Sequence, residues 1–476
     1  MGLCSTKWLV LWSLWAARLL PQPTLVIQLS NGPVRGTISP DGSHTQYAGI
    51  PYATIRQRFQ SPGPHPTWDN VFDAINEHKH CFQSIEDTVM TGTKQCLILN
   101  VYNPLNTTPD AKLPVMVYFH GGGFFKGSSG SLLYGPKYLV PKGVILVTVN
   151  YRVNIQGFLC LRIREAPGNV ASLLAKVMLF ESQDPYDLYN YFMTKSDADL
   201  ILTRVPRKEG NLIASEILYT PCAEKLIEGE EPFLTKSPLD ILIKGDYNKV
   251  PVMIGGNNEE GLLLFAMDNA TMTRRITFEK SVPKNLEFPS ENVKMEVAQK
   301  LKRLYMEGDK MPMEGETLSQ NASVRLSRLM GEVGINYPAL EETELLLKTN
   351  NNPIYNYMFQ YYGNRNIPML LMSSKLRGVK GATHADDIFY IFSQTIIPTT
   401  IFENNMIESM TTMWTNFAKY GDPTPDFTNP PVKWHRTNST TPTALVIDSE
   451  FSTAPLWYND RVKYLRELYS KFRRKG

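Results

Sequence analysis

A run of glycines directly after an apolar segment is the most specific chemical signal in this sequence. His120 is followed by Gly121, Gly122 and Gly123, and the apolar segment 114–119 comes immediately before it. Consecutive glycines let the backbone turn tightly with its N–H groups exposed, so these groups can donate to an oxygen that gains negative charge. The alternative is a glycine-rich turn without chemistry, but the preceding strand favours an oxyanion-binding loop.

Two apolar, β-branched segments are the elements that must position this loop. Segments 114–119 and 144–149 show no alternation of polarity, which is typical of parallel strands buried on both faces. Further strands are predicted over 250–255, 354–361 and 444–447, and helices over 291–304, 407–420 and 460–472. Strands that alternate with helices predict an α/β protein.

The overall composition narrows the classes of function. The 476 residues are 42% hydrophobic and 20% charged, which is typical of folded globular chains. A net charge of +3 is too small to indicate nucleic acid as a partner. After the N-terminus, no apolar run reaches the roughly 18 residues of a membrane span. The sequence therefore predicts a globular protein without nucleic acid, a stable membrane span, a cofactor or a metal, and it leaves the oligomeric state open.

A series of short motifs along the chain resembles the type-B carboxylesterases and cholinesterase-like proteins, particularly the insect esterases. In chain order these motifs occupy residues 49–53, 96–102, 119–124, 150–152, 157–159, 165–169, 256–261, 381–387 and 414–423. The resemblance implies an α/β-hydrolase fold, in which helices flank a mostly parallel central sheet. It also implies one domain over residues 21–476.

The resemblance further implies roles for individual residues. Gly122 and Gly123 match the glycines of the oxyanion hole, Glu260 matches the acid of a catalytic triad, and His384 matches its base. In such a triad the carboxylate fixes the imidazole tautomer, and the imidazole takes a proton from a serine. The neighbouring Glu259 is expected to be solvated.

The nucleophile of that triad is missing. In this fold the serine stands in a Gly-x-Ser-x-Gly turn, whose strained backbone requires glycines. No serine in the sequence has glycine at both positions. Ser129 has Gly127 two positions before it but Ser131 two positions after it. Ser182, which has neither glycine, is interpreted as part of a helical segment.

The order of the motifs predicts an internal deletion near residues 169–170. In the family, the motif at 165–169 leads into a helix, then the central strand, the serine turn and the helix behind it. Here residue 169 continues directly into segment 170–177, which resembles sequence well downstream. We therefore expect the sheet to lack a central strand and its helix, with apolar faces left exposed. A skipped exon and an error in the gene assembly both fit this pattern.

The N-terminus and the glycosylation sequons predict a secreted glycoprotein. Residues 1–20 carry one lysine before an apolar run of about ten residues, which is typical of a signal peptide and too short for a membrane span. The alternatives are an uncleaved anchor or a buried segment. Sequons begin at Asn106, Asn269, Asn321 and Asn438.

The cysteines suit an oxidising compartment. By the resemblance, Cys81 and Cys96 match a disulfide of the family, although Lys94-Gln95 stands where the family usually has an acidic pair. Cys160 lies in an apolar segment and is predicted to be a buried free thiol.

Three hypotheses for function remain. The first is a secreted serine esterase of lipophilic carboxylic esters, of which this chain, lacking the serine, is inactive or severely impaired. The second is a non-catalytic member that binds a small-molecule ester or a protein partner. The third is a chain that does not fold stably. The retained acid, base and glycines favour the first.

Overall fold

The computed structural model describes most of the chain in two compact units. The described residues are 22–85, 88–105, 107–163, 166–167, 171–205, 219–229, 231–267, 282–306, 319–370, 376, 378–394, 401–428, 430, 432–456 and 459–474. The first unit comprises Met1–Val205, Tyr219–Thr235 and Phe392–Ile396, and the second Pro206–Leu218, Lys236–Ile391 and Ile397–Gly476. The predicted signal peptide (residues 1–20) and the predicted deletion junction (169–170) lie outside the described residues.

The first unit contains most of the strands. They are β1 (Gln22–Pro23), β2 (Ile27–Leu29), β3 (Gly32–Arg35), β4 (Thr37–Ile38), β5 (His44–Pro51), β6 (Phe72–Asp73), β7 (Gln83–Ile85), β8 (Val89–Thr91), β9 (Ile98–Pro104), β10 (Val115–Phe119), β11 (Ile145–Val149), β12 (Cys160–Ile163) and β13 (Ala166–Pro167). Its helices are α1 (Ser131–Tyr134), α2 (Asn154–Phe158), α3 (Ala171–Val177), α4 (Pro185–Met193) and α5 (Asp197–Leu202).

The main sheet of this unit has the strand order β1-β4-β5-β9-β11-β10. Strand β10 pairs with β11 in parallel, from Val115 opposite Ile145 to Phe119 opposite Val149. The other neighbours in this sheet pair antiparallel. The prediction of parallel strands at 114–119 and 144–149 is confirmed by the β10–β11 pair.

Strand β10 is an edge strand in the described part of the sheet, and one of its faces is uncovered. Val115, Val117 and Phe119 are 55%, 52% and 65% exposed. On the opposite face, the Tyr118 ring packs against the rings of Tyr134 and Phe392. The prediction that this strand is buried on both faces is wrong, because an apolar run does not specify which elements cover it.

The second unit combines a four-stranded sheet with most of the long helices. Its strands are β14 (Val252–Asn257), β15 (Ile354–Phe359), β16 (Thr443–Ile447) and β17 (Ser452–Pro455), in that order across the sheet. β14, β15 and β16 are parallel, and β17 is antiparallel to β16. Its helices are α6 (Pro238–Lys244), α7 (Gly261–Ala266), α8 (Glu291–Met306), α9 (Gln320–Gly331), α10 (Tyr337–Thr349), α11 (Ile367–Leu370), α12 (Ile388–Ile391), α13 (Ile401–Tyr420) and α14 (Asp460–Phe472).

The core of the second unit is built by apolar residues at helical spacing. Leu301 of α8, Leu326 and Leu329 of α9 and Leu465 of α14 are fully buried in one cluster. α14 begins directly after its N-cap residue Asn459, whose side chain accepts the Val462 N–H. None of the described helices is long and apolar enough to cross a membrane.

Candidate active site

Glu260 lies in a tight turn between β14 and α7, where its carboxylate is buried. The side chain is 4% exposed, and its Oε1 atom accepts the Asn257 N–H at 2.7 Å. The next residue must be small, because a Cβ on Gly261 would collide with the Ser327 carbonyl of helix α9. The close crossing of α7 and α9 therefore fixes the position of the Glu260 carboxylate.

His384 stands on the loop that precedes α12 and contacts this carboxylate. Its Nδ1 atom lies 2.7 Å from Glu260 Oε2, and its side chain is 47% exposed. A neutral imidazole that donates from Nδ1 keeps Nε2 as the proton acceptor, which is the tautomer that a general base requires.

Several hydrogen bonds attach the loop that carries His384, the histidine loop, to the turn that carries Glu260. The Glu259 N–H donates to the Ala382 carbonyl at 2.9 Å. Asn257 Nδ2 donates to the Thr383 carbonyl at 2.6 Å, and the Leu263 N–H donates to Thr383 Oγ1 at 2.8 Å. The His384–Glu260 geometry is thus held by the backbone on both sides.

Glu259 has a different partner from its neighbour. It is 6% exposed, and its Oε1 atom lies 2.6 Å from Arg328 Nη2, with Arg328 Nε 3.0 Å from both carboxylate oxygens. The expectation that Glu259 is solvated is wrong, because the guanidinium on α9 compensates its charge in the buried turn.

The charges around His384 favour its protonated form. Partial burial disfavours the imidazolium, but the hydrogen bond and the negative charge of Glu260 outweigh it, so that the pKa of His384 is raised. The charges of Asp387 and Asp386 act in the same direction.

Two further carboxyl groups, those of Asp386 and Asp387, follow His384 on the same loop. Asp387 accepts hydrogen bonds from the Tyr357 hydroxyl at 3.0 Å and Asn257 Nδ2 at 3.3 Å, and burial, with the charge of Glu260, raises its pKa. Asp386 accepts the Thr383 N–H at 2.7 Å, and burial raises its pKa to about 7 although this donor favours ionisation.

The glycine loop belongs to the first unit and follows β10. Gly122 has φ +124° and Gly123 has φ +62°, both in the left-handed region that glycine tolerates. The loop is anchored on either side, since the Gly127 N–H donates to Gln83 Oε1 at 2.9 Å and the Phe124 carbonyl accepts the Asn154 N–H at 2.7 Å. Among the described residues, neither the Gly122 nor the Gly123 N–H has an acceptor. Both are free to donate to an oxyanion.

The profile of the Carboxylesterase family matches residues 23–174 and 170–464. The chain belongs to the carboxylesterase family. The family and its relatives support an ester hydrolase.

Curated relatives of this carboxylesterase-family chain include two juvenile hormone esterases. The protein from Tribolium castaneum is 25% identical over 478 residues, covering 80% of this chain and 81% of the relative. That from Heliothis virescens is 26% identical over 514 residues, covering 87% and 88%. Acetylcholinesterase from Electrophorus electricus is 38% identical over 182 residues, which cover 34% of this chain and 29% of the relative.

A solved structure confirms the predicted fold of the carboxylesterase-family chain. The crystal structure of juvenile hormone esterase from Manduca sexta, with OTFP covalently attached, aligns with a TM-score of 0.76 at 20% identity. The alignment covers 94% of this chain and 99% of the other. The likeness shows an α/β-hydrolase fold.

Neither Ser129 nor Ser182 stands in a nucleophile turn. Ser129 is 1% exposed and belongs to a buried polar network, where its N–H donates to Asn150 Oδ1 at 2.8 Å and its hydroxyl accepts from Asn100 Nδ2 at 3.2 Å. The Ser182 hydroxyl donates to Asp187 Oδ2 at 3.0 Å and accepts the Asp184 N–H, next to the start of α4. Both hydroxyls have structural roles.

The described cysteines of the carboxylesterase-family chain form two disulfides. Cys81 and Cys96 are bonded, as the resemblance implied. Cys160 is bonded to Cys222, so the prediction of a free thiol at Cys160 is wrong. Burial of Cys160 was expected, but a partner 62 residues away leaves no local signal.

Two of the four sequon asparagines lie among the described residues. Asn321, in α9, and Asn438 are exposed, whereas Asn106 and Asn269 lie outside the described residues. Sequence reasoning also missed Arg328 and the hydrogen bond from Tyr357 to Asp387. Arg328 has no local signal that could have revealed it, since its partner lies 69 residues away.

Proposed function

We propose that this chain is a product of a secreted carboxylesterase gene that retains the acid and the base of the catalytic triad but lacks its nucleophile. The observation that carries the proposal is the 2.7 Å contact between His384 Nδ1 and Glu260 Oε2 in a sequence that contains no Gly-x-Ser-x-Gly turn. Such a chain is inactive or severely impaired, because the remaining groups cannot form an acyl-enzyme.

In the complete enzyme each retained residue has a chemical role. His384 would take the proton of the serine hydroxyl as that oxygen attacks the ester carbonyl, and Glu260 would stabilise the resulting imidazolium. The N–H groups of Gly122 and Gly123 would donate to the oxyanion. The protonated His384 would then donate its proton to the leaving alkoxide, which departs as the alcohol and leaves the serine acylated. Water would hydrolyse this acyl group and free the serine. We assign lipophilic carboxylic esters as the substrate class of that form.

An internal deletion near residues 169–170 accounts for the missing serine. Two observations support it. The family profile matches the chain in two segments that meet at residues 170–174. In addition, β10 and β14 are edge strands in the described sheets, and the face of β10 that carries Val117 and Phe119 is uncovered. A strand with its following helix would provide both the pairing and the cover.

Labelling with an organophosphate tests the loss of the nucleophile. The purified chain should give no stoichiometric label and no burst with a chromogenic ester, while a complete esterase of the family, assayed in parallel, gives both. Far-UV circular dichroism on the same sample establishes that the chain is folded. Stoichiometric labelling of any serine would overturn the proposal.

The gene segment between codons 169 and 170 provides the second test. An intervening coding block with Gly-x-Ser-x-Gly would support the deletion, and uninterrupted coding sequence would contradict it. When the block is restored, ester hydrolysis should appear, and His384→Ala should then lower kcat by about 10⁴-fold or more. Retention of full activity by that variant would contradict the role given to His384.

Secretion is part of the same proposal. It is supported by the apolar N-terminal run, by the two disulfides and by the exposed sequons at Asn321 and Asn438. Expression in insect cells should place the chain in the medium in a form that loses mass on deglycosylation. An unglycosylated product retained in the cytosol would argue against it.

A non-catalytic role in binding a small ester or a protein is the alternative. This alternative predicts that the chain binds a lipophilic ester saturably without hydrolysing it. It also predicts that the coding sequence continues without interruption from codon 169 to codon 170.

A further inference from the structure

A cavity in the first unit, separate from the residues assigned to ester chemistry, has four cations in its lining. Its volume is about 220 Å³, and it lies beside the Cys81–Cys96 disulfide. The charged residues of its lining are Arg56, Arg58, Lys94, Arg152 and Asp197. Four cations therefore share a single carboxylate.

That carboxylate is already engaged. Asp197 Oδ1 accepts a hydrogen bond from Gln156 Nε2 at 2.5 Å and lies 3.7 Å from Arg58 Nε. Asp197 can therefore compensate one cation, and the cavity keeps a surplus of positive charge.

Two of the other cations, Arg152 and Lys94, donate to neutral carbonyl oxygens. Arg152 Nη1 donates to the Gln60 carbonyl at 2.8 Å, and Lys94 Nζ donates to the Arg56 carbonyl at 3.1 Å. Within the described part of the chain, neither has a carboxylate partner. Burial lowers the pKa of Arg152, which means that the protein environment disfavours its charge. A guanidinium in this situation gains free energy when an anion binds beside it.

Part of the cavity wall is held in place by a disulfide and by a hydrogen bond of Arg58. Cys81 and Cys96 are 3% and 2% exposed and covalently joined. Arg58 is fixed by a hydrogen bond from Nη1 to the Lys195 carbonyl at 2.7 Å. Positively charged donors held in place before a ligand arrives lose little conformational entropy on binding.

We propose that this cavity binds a phosphate-class dianion, either inorganic phosphate or a small phosphomonoester. A dianion matches the surplus of cations better than a monocarboxylate does, and guanidinium groups bind phosphate oxygens in a bidentate manner. The cavity has room for the oxyanion and a small organic substituent. Lys94 is the decisive residue, because it places a cation where the resemblance leads one to expect an acid.

Calorimetric titration of the full chain with inorganic phosphate, against sodium chloride of equal ionic strength, tests the proposal. The chain should give saturable binding. Lys94→Gln, which removes one cation, should weaken phosphate binding by about two- to fivefold. Lys94→Glu should weaken it by at least about tenfold, because the introduced carboxylate repels the anion and pairs with the remaining cations. Lys94→Glu should also raise the Tm measured without phosphate, since it supplies the missing anion within the chain.

Lys176→Glu is the matched control, since it makes the same change of charge at an exposed position of α3 outside the cavity lining. It should leave phosphate binding unchanged. Flotation with vesicles of phosphatidic acid, compared with vesicles of phosphatidylcholine, distinguishes a lipid headgroup from a free phosphate compound. Flotation with phosphatidic acid that depends on Lys94 assigns the site to a lipid headgroup. Phosphate binding without such flotation assigns the site to a free phosphate compound. No heat beyond that of chloride, or equal weakening by Lys94→Glu and Lys176→Glu, would overturn the proposal.

Discussion

His384 Nδ1 lies 2.7 Å from Glu260 Oε2, while the adjacent Glu259 carboxylate is bound by Arg328. Two neighbouring glutamates in one turn thus serve different partners. The first carboxylate orients an imidazole, and the second compensates a cation on α9. This division allows the contribution of each carboxylate to be measured separately.

Replacement of Glu260 should change the titration of His384. Glu260→Gln removes the charge and the acceptor that raise the pKa of His384, so we expect this pKa to fall. Histidine NMR titration measures it directly. Glu259→Gln is the control and should change the pKa of His384 much less, because the carboxylate that it removes is paired with Arg328. An equal fall in both variants would show that general electrostatics, rather than the specific contact, controls the histidine.

Asp386 should make the stability of the second unit depend on pH. Its side chain is fully buried, and its pKa of about 7 lies above the roughly 3.9 of an unfolded aspartate. The folded state therefore holds the proton more tightly, so this group lowers stability as the pH rises from about 4 to about 7, by up to about 1.4 kcal/mol per pH unit.

Urea denaturation of Asp386→Asn across this range tests that sign. The variant should show a smaller fall in stability over this range, whereas Asp460→Asn, at an exposed carboxylate, should retain the full fall. Superimposable pH profiles for the wild-type chain and Asp386→Asn would show that Asp386 is ionised in the folded protein.

The Cys160–Cys222 disulfide should contribute more stability than the Cys81–Cys96 disulfide. The loops that they close differ in sequence separation, 62 against 15 residues, and the chain-entropy account then gives the longer one about 1 kcal/mol more. We expect Cys222→Ser to lower the free energy of unfolding by about 2–4 kcal/mol in equilibrium denaturation. Stoichiometric alkylation of Cys160 in the native, unreduced chain would contradict this assignment.

The two faces of β10 should respond differently to substitution. Val117 is half exposed, so Val117→Ser should change the free energy of unfolding by less than about 1 kcal/mol. Tyr118 packs its ring 4.5 Å from that of Phe392, and Tyr118→Ala should cost about 2 kcal/mol or more. Chemical denaturation measures both. A large loss from Val117→Ser would show that another element covers this face in solution.

Local signals predicted the elements well, and long-range contacts were largely beyond them. The helix predicted over 460–472 has the same bounds in the structure, because the Asn459 cap and the apolar spacing are both encoded locally. The apolar pattern of β10 did not reveal its exposed face, since exposure depends on which neighbours are present, although the deletion inferred from the motif order led us to expect exposed apolar faces. The Glu260–His384 pair spans 124 residues and was found only through a family resemblance, whereas Arg328, without such a guide, was not found.

The crossing of α7 and α9 at Gly261 has an evolutionary consequence. Glu260 accepts the Asn257 N–H in its own turn, and Gly261 permits the close approach to Ser327, so both are required for packing within the second unit. Purifying selection on folding alone would preserve them after turnover had ceased. Among relatives that have lost activity, the residues equivalent to Glu260 and Gly261 should therefore persist, and the serine turn is the segment whose decay dates the loss.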